Sequence, residues 1–142
     1  RLQVDAETAA YLQQRFYHPD IGFALSVQLR AIASSCIDVS DGLLADLGHI
    51  CAASGVGARI GQALLPVSAR WRQAAGEEQA LQWALSGGDD YRLCFTAAPE
   101  HAAVLQQAGC YRIGDVVAGS GIVVVDAQGV PCETTNSSYR HF

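Results

Sequence analysis

The feature that most constrains this chain is a change of period between Cys36 and Gly55. Cys36-Ile37-Asp38-Val39 is short and apolar, as a strand is, and then Leu43, Leu44, Leu47, Ile50 and Cys51 recur at helical spacing until Gly55. Strand, tight turn and helix must therefore follow one another with little slack. Ser40 stands where an N-cap is expected, Asp41 falls in the favourable first turn, and Gly55 suits a left-handed helix stop.

The rest of the chain alternates in the same way. Asp5 to Tyr17 has helical composition, with Asp5 as cap and Ala9, Leu12 and Phe16 along a face expected to pack on a sheet. His18-Pro19-Asp20-Ile21-Gly22 breaks it, and a short helix is expected from Phe23 to Ile32. Val56, Ala58 and Ile60 alternate as in a half-buried strand. Ser68 to Ala75 and Glu77 to Leu85 read as helices around Trp71 and Trp83, both expected in the core. Tyr91, Leu93 and Phe95 alternate, Pro99 opens a helix that Gly109 closes, and Tyr111 to Val117 and Gly121 to Val125 read as strands. The run Ile122-Val123-Val124-Val125 is expected to be covered on both faces. Together these give an α/β fold of the α+β sandwich kind, a mixed β-sheet with packed helices in one domain covering residues 1–142.

Composition narrows the function. A chain of 142 residues can bury roughly 70% of its unfolded surface, and 50% apolar with 16% charged residues excludes disorder. No apolar run reaches the roughly 18 residues of a membrane span, and the first 17 residues do not have the pattern of a signal peptide. The chain has no methionine and opens at Arg1, so it reads as a piece of something longer. Its five cysteines are odd in number and widely spaced, which reads as reduced thiols in the cytoplasm, and without a Cys-x-x-Cys or clustered histidines zinc is not expected. A net charge of -5 with dispersed basic residues argues against nucleic acid. An acidic protein binds phosphates through divalent cations instead.

Two segments carry chemistry. Asp38, Ser40 and Asp41 place two carboxylates and a hydroxyl at a strand exit and helix start, where hard oxygen ligands suit Mg²⁺ and unpaired N–H groups suit phosphate. Helix capping alone would explain Ser40 and Asp41. It does not explain Asp38, a carboxylate between Ile37 and Val39, which needs a cation or an edge position. In the second segment, Ser86-Gly87-Gly88-Asp89-Asp90-Tyr91, paired glycines allow close backbone approach and two carboxylates follow, although an ordinary loop uses the same residues.

The motifs Ile37-Asp38-Val39-Ser40-Asp41-Gly42-Leu43 and Ser86-Gly87-Gly88-Asp89-Asp90-Tyr91, with Ser54 to Ile60 and Leu65 to Ser68 between them, resemble the thiamine-monophosphate kinase family. The first motif is shared more widely among relatives of aminoimidazole ribonucleotide synthetase. The resemblance implies the carboxy-terminal domain of a two-domain, cytoplasmic, homodimeric kinase whose amino-terminal ATP-binding domain lies outside this chain. It implies phosphorylation of thiamine monophosphate to thiamine diphosphate, with ATP as co-substrate and several Mg²⁺ ions.

By the family's pattern, Asp38 and Asp41 bind magnesium, Ser40 contacts ATP, Asp89 contacts the thiamine phosphate, and Tyr139 stacks on the substrate. No residue acts as a covalent or strongly basic catalyst. Asp89 stands where glutamate is more usual, and Pro19 to Phe23 departs from the family's pattern, so no role is carried onto that stretch. The alternatives are another enzyme of the superfamily, purine-pathway or selenophosphate synthetase-like, or a non-catalytic phosphate-ligand-binding or structural domain.

Overall fold

A computed structural model describes residues 4–133. In chain order these form α1 (Ala6–Tyr17), α2 (Phe23–Leu29), β1 (Ala33–Asp38), α3 (Leu43–Ser54), β2 (Gly57–Gly61), α4 (Ala69–Ala75), α5 (Glu77–Ser86), β3 (Leu93–Ala97), α6 (Ala102–Gln107), β4 (Gly114–Val117) and β5 (Gly121–Val125). Short 3₁₀ turns lie at Gln62–Leu64 and Pro99–His101. The mixed α/β architecture is the expected one, but the strands divide into two sheets. One is the antiparallel pair β1–β3. The other has the order β4–β2–β5, with β2 antiparallel to β4 and parallel to β5.

Helix α3 joins the two sheets. Leu43, Leu47, Ile50 and Cys51 recur at the spacing of one helical face, and all four are buried. They meet Ala58 and Ile60 of β2, Val124 of β5, Leu81 and Leu85 of α5, and Cys94 of β3 in one core cluster. Gly55 ends the helix in the left-handed conformation (φ 65°, ψ 35°), and the N–H of Val56 closes back on the Cys51 carbonyl at 3.1 Å. The β2 strand therefore leaves α3 at a fixed angle.

Three packing expectations change. Asp5 does cap α1, accepting from the Thr8 N–H at 2.7 Å, but Phe16 is 67% exposed and the helix does not bury the expected face on a sheet. It docks instead on α4, where Arg70 pairs with Glu7 and lies 5.6 Å from the centre of the Tyr11 ring. Val123 is exposed while Val124 is buried, because β5 has α3 on one face and its other face open. Trp71 and Trp83 stack on each other at 4.9 Å across the α4–α5 hairpin, and Trp83 stays partly exposed rather than entering the core. Strand β4 is also shorter than expected, starting at Gly114 rather than Tyr111, whereas β5 has the expected bounds.

The pairing of β1 with β3 continues past the strand ends. Val39 N–H donates to the Arg92 carbonyl at 2.8 Å, Tyr91 N–H to the Val39 carbonyl at 2.8 Å, and Asp89 N–H to the Ser40 carbonyl at 2.9 Å. Such close approach leaves no room for a side chain at residue 88. A Cβ on Gly88 would lie 2.4 Å from the Ser40 carbonyl oxygen, and one on Gly42 would lie 2.9 Å from the Ser86 carbonyl oxygen. Gly42 also holds φ +113°, a conformation other residues rarely adopt.

Two outcomes follow from this packing. Gly88→Ala should destabilise the chain by about 1–3 kcal/mol, read by denaturant unfolding, because backbone rather than a flexible side chain must move. Burial first, and then the nearby Cys36, Asp46 and Cys51, push the Cys94 thiol up to about 11. The native state therefore holds this proton more tightly than the unfolded chain does. Its contribution to stability should be intact below the ordinary thiol value of 9.0 and be lost as the pH rises towards 11, and alkylation at neutral pH should spare Cys94 until the chain unfolds.

Candidate functional site

The extended pairing brings the two motifs together at one corner of the molecule. Asp38 ends β1 on its open face, after the exposed Ser34 and Cys36, so its charge is accommodated by exposure on an edge strand. Ser40 and Asp41 form the turn that follows, and Asp89 and Asp90 lie exposed directly across from it. Tyr139 falls outside the described residues.

Ser40 and Asp41 do not cap α3 as the sequence suggests. The helix begins after Gly42, with no side-chain cap. The turn is instead held from inside the helix by Asp46, whose Oδ2 accepts the Ser40 N–H at 2.9 Å and the Asp41 N–H at 3.1 Å. Those two amides are consequently taken up within the turn, and the first N–H groups of α3 are those from Leu43 onward. Asp46 is 3% exposed. Its signal was present in the sequence, because it is the one carboxylate at a core position among Leu43, Leu47 and Ile50, and a buried charge needs partners.

Tyr91 is the second residue that the motif reading left without a role. Its hydroxyl donates to Asp89 Oδ1 at 2.9 Å. Asp89 and Tyr91 hold φ of 61° and 54°, left-handed values that non-glycine residues seldom take. The bond to Asp89 and the Asp89 charge, followed by burial and the charge of Asp38, raise the Tyr91 phenol above its ordinary value. Carboxylates from both motifs thus act in the same direction on one phenol.

The donor set suits a hard cation. Among the described residues no group of three or more His, Cys, Asp and Glu side chains is arranged to hold a metal by itself. Mg²⁺ does not require such a cage, since it is commonly bound by one or two carboxylates together with waters and the phosphates of its nucleotide. Asp38 and Asp41 can fill that role beside the Ser40 hydroxyl. All five cysteines are free thiols, and no helix among the described residues is long and apolar enough to cross a membrane.

Comparison with known proteins gives the family. The family model described as AIR synthase related protein, C-terminal domain, matches residues 8–127. The chain is 50% identical over 109 residues to thiamine-monophosphate kinase of Escherichia coli strain K12, a match covering 76% of this chain and 34% of that protein. Among solved structures it is similar to thiamine-monophosphate kinase from Stenotrophomonas maltophilia K279a, with a TM-score of 0.81, 40% identity, and 85% of this chain and 40% of that one covered. It is also similar to a structure described as AaThiL complexed with AMPPCP and TMP, with a TM-score of 0.81, 27% identity, and 100% of this chain and 44% of that one covered. The chain spans about a third of the length of the curated relatives it matches. It belongs, through a match over most of its length, to the family of AIR synthase related proteins as their carboxy-terminal domain.

Proposed function

We propose that this chain is the carboxy-terminal domain of a two-domain thiamine-monophosphate kinase, which uses ATP and Mg²⁺ to phosphorylate thiamine monophosphate to thiamine diphosphate. The observation that carries this reading is the joining of the two motif loops at one corner, with Ser40, Asp41 and Asp89 bordering it. The similarity to the structure described as AaThiL complexed with AMPPCP and TMP supports both ligands. The working enzyme is a cytoplasmic homodimer, and an amino-terminal domain completes the ATP site.

Within that reading each residue has a physical task. Asp38 and Asp41 hold magnesium, and the Ser40 hydroxyl donates to a phosphate oxygen of ATP. Asp89, oriented by Tyr91, faces thiamine monophosphate, and Tyr139 stacks on it. Magnesium held there would supply charge neutralisation for the two anionic reactants and help align their phosphates. The protein's own contribution is positioning, because in-line phosphoryl transfer calls for aligned groups rather than a covalent intermediate or a strong base. By itself this domain is catalytically silent.

Calorimetric titration of Mg·ATP and thiamine monophosphate into the chain joined to its amino-terminal domain tests the proposal. Both ligands should bind, and Asp38→Asn should weaken Mg·ATP by about tenfold or more, equivalent to ~1.4 kcal/mol. A joined protein that binds neither ligand, or an Asn variant that binds Mg·ATP as well as the parent, contradicts it.

A further inference from the structure

The turn of the first motif, at Val39-Ser40-Asp41, is gripped from both sides. The Val39–Ser40 peptide gives its carbonyl to the Tyr91 N–H at 2.8 Å and its N–H to Asp46 at 2.9 Å. The next peptide, Ser40–Asp41, gives its carbonyl to the Asp89 N–H at 2.9 Å and its N–H to the same Asp46 oxygen at 3.1 Å. A peptide unit is planar and its C=O and N–H point opposite ways, so fixing both ends removes its freedom to rotate. Two successive units held in this way fix the backbone of Ser40, the direction in which its side chain leaves it, and the position from which the Asp41 side chain starts.

We infer that Asp46 is a positioning residue for the phosphate- and cation-binding turn, locking both peptide planes so that Ser40 and Asp41 present their oxygens in one arrangement. The inference rests on the kinase reading for what the turn binds, but the clamp itself does not. Asp46 is well placed for the task. It is buried on the first turns of α3, its own N–H is tied to the Gly42 carbonyl at 3.0 Å, and Leu43 and Leu47 anchor the same helix in the core. The clamp has a second effect. Its carboxylate takes up two amides that would otherwise attract a bare phosphate and sets a negative charge behind the turn, which favours a cation in front of it.

Because one oxygen accepts both amides, Asp46→Asn can keep the two bonds through its amide oxygen while losing the charge, whereas Asp46→Ala loses both. The test compares hydrogen exchange of the Ser40 and Asp41 amides, and Mn²⁺ affinity in the presence of AMPPCP read by electron paramagnetic resonance, in the parent chain joined to its amino-terminal domain and in the two variants of that joined protein. In Asp46→Ala the two amides should exchange about 100-fold faster while the amides of α3 beyond its first turn keep their protection. Mn²⁺ binding should weaken about tenfold, the size expected when support behind a ligand is lost. Asp46→Asn should restore the protection and recover part of the Mn²⁺ affinity.

Unchanged exchange at Ser40 and Asp41 in Asp46→Ala overturns the inference, as does faster exchange with Mn²⁺ affinity equal in all three proteins. Loss of protection throughout α3 in both variants also overturns it, since Asp46 would then support the helix rather than the turn. A parent chain that holds these amides but binds no Mn²⁺ refutes the positioning of a cation site. That result is distinguishable from failure of the clamp because the amides report on the clamp independently.

Discussion

The structure depends on three backbone hydrogen bonds that prolong the β1–β3 pairing beyond its strands, from the Val39 N–H to Arg92, from Tyr91 to the Val39 carbonyl and from Asp89 to the Ser40 carbonyl. A two-stranded sheet has little stability alone, and this one is held because α3 packs against it and against the three-stranded sheet at once. The motif residues are therefore carried by rigid elements although they lie on loops. This is the usual division between a stable scaffold and reactive connections.

Local strain is concentrated where the two motifs meet. Gly42 takes φ +113°, Asp89 and Tyr91 take left-handed values, and Gly88 touches the Ser40 carbonyl so closely that a methyl group would not fit. Backbone in such states persists only when its surroundings hold it there. Here the holding groups are visible: the strand-like bonds on one side, Asp46 on the other, and the Tyr91 hydroxyl on the Asp89 carboxylate.

The period change after Val39, the Gly55 stop, the Asp5 cap and the order of helices and strands were legible in the sequence, because each follows from local patterning. The division of the strands into two sheets was not, since strand partners are decided by contacts distant in sequence. Phe16 and Trp83 were misplaced for a related reason: an apolar residue on a helix shows that it can be buried, not where the covering surface lies. At the site, Asp38, Ser40, Asp41 and Asp89 were singled out as chemical residues and the fold brings their segments together. What escaped was the support behind them. Asp46 stands at helical spacing from the apolar Leu43 and Ile50, which signals a buried carboxylate, but only the folded turn shows that it accepts the amides of residues five and six positions earlier.

A single magnesium and phosphate site formed by the two motifs is open to direct observation. Anomalous diffraction from crystals of the chain joined to its amino-terminal domain, grown with Mn²⁺, AMPPCP and thiamine monophosphate, addresses it most directly. Manganese should be bound by carboxylate oxygens of Asp38 and Asp41, with the nucleotide phosphates beside Ser40 and thiamine monophosphate beside Asp89. Manganese and nucleotide bound elsewhere, with this corner facing only solvent, would contradict it.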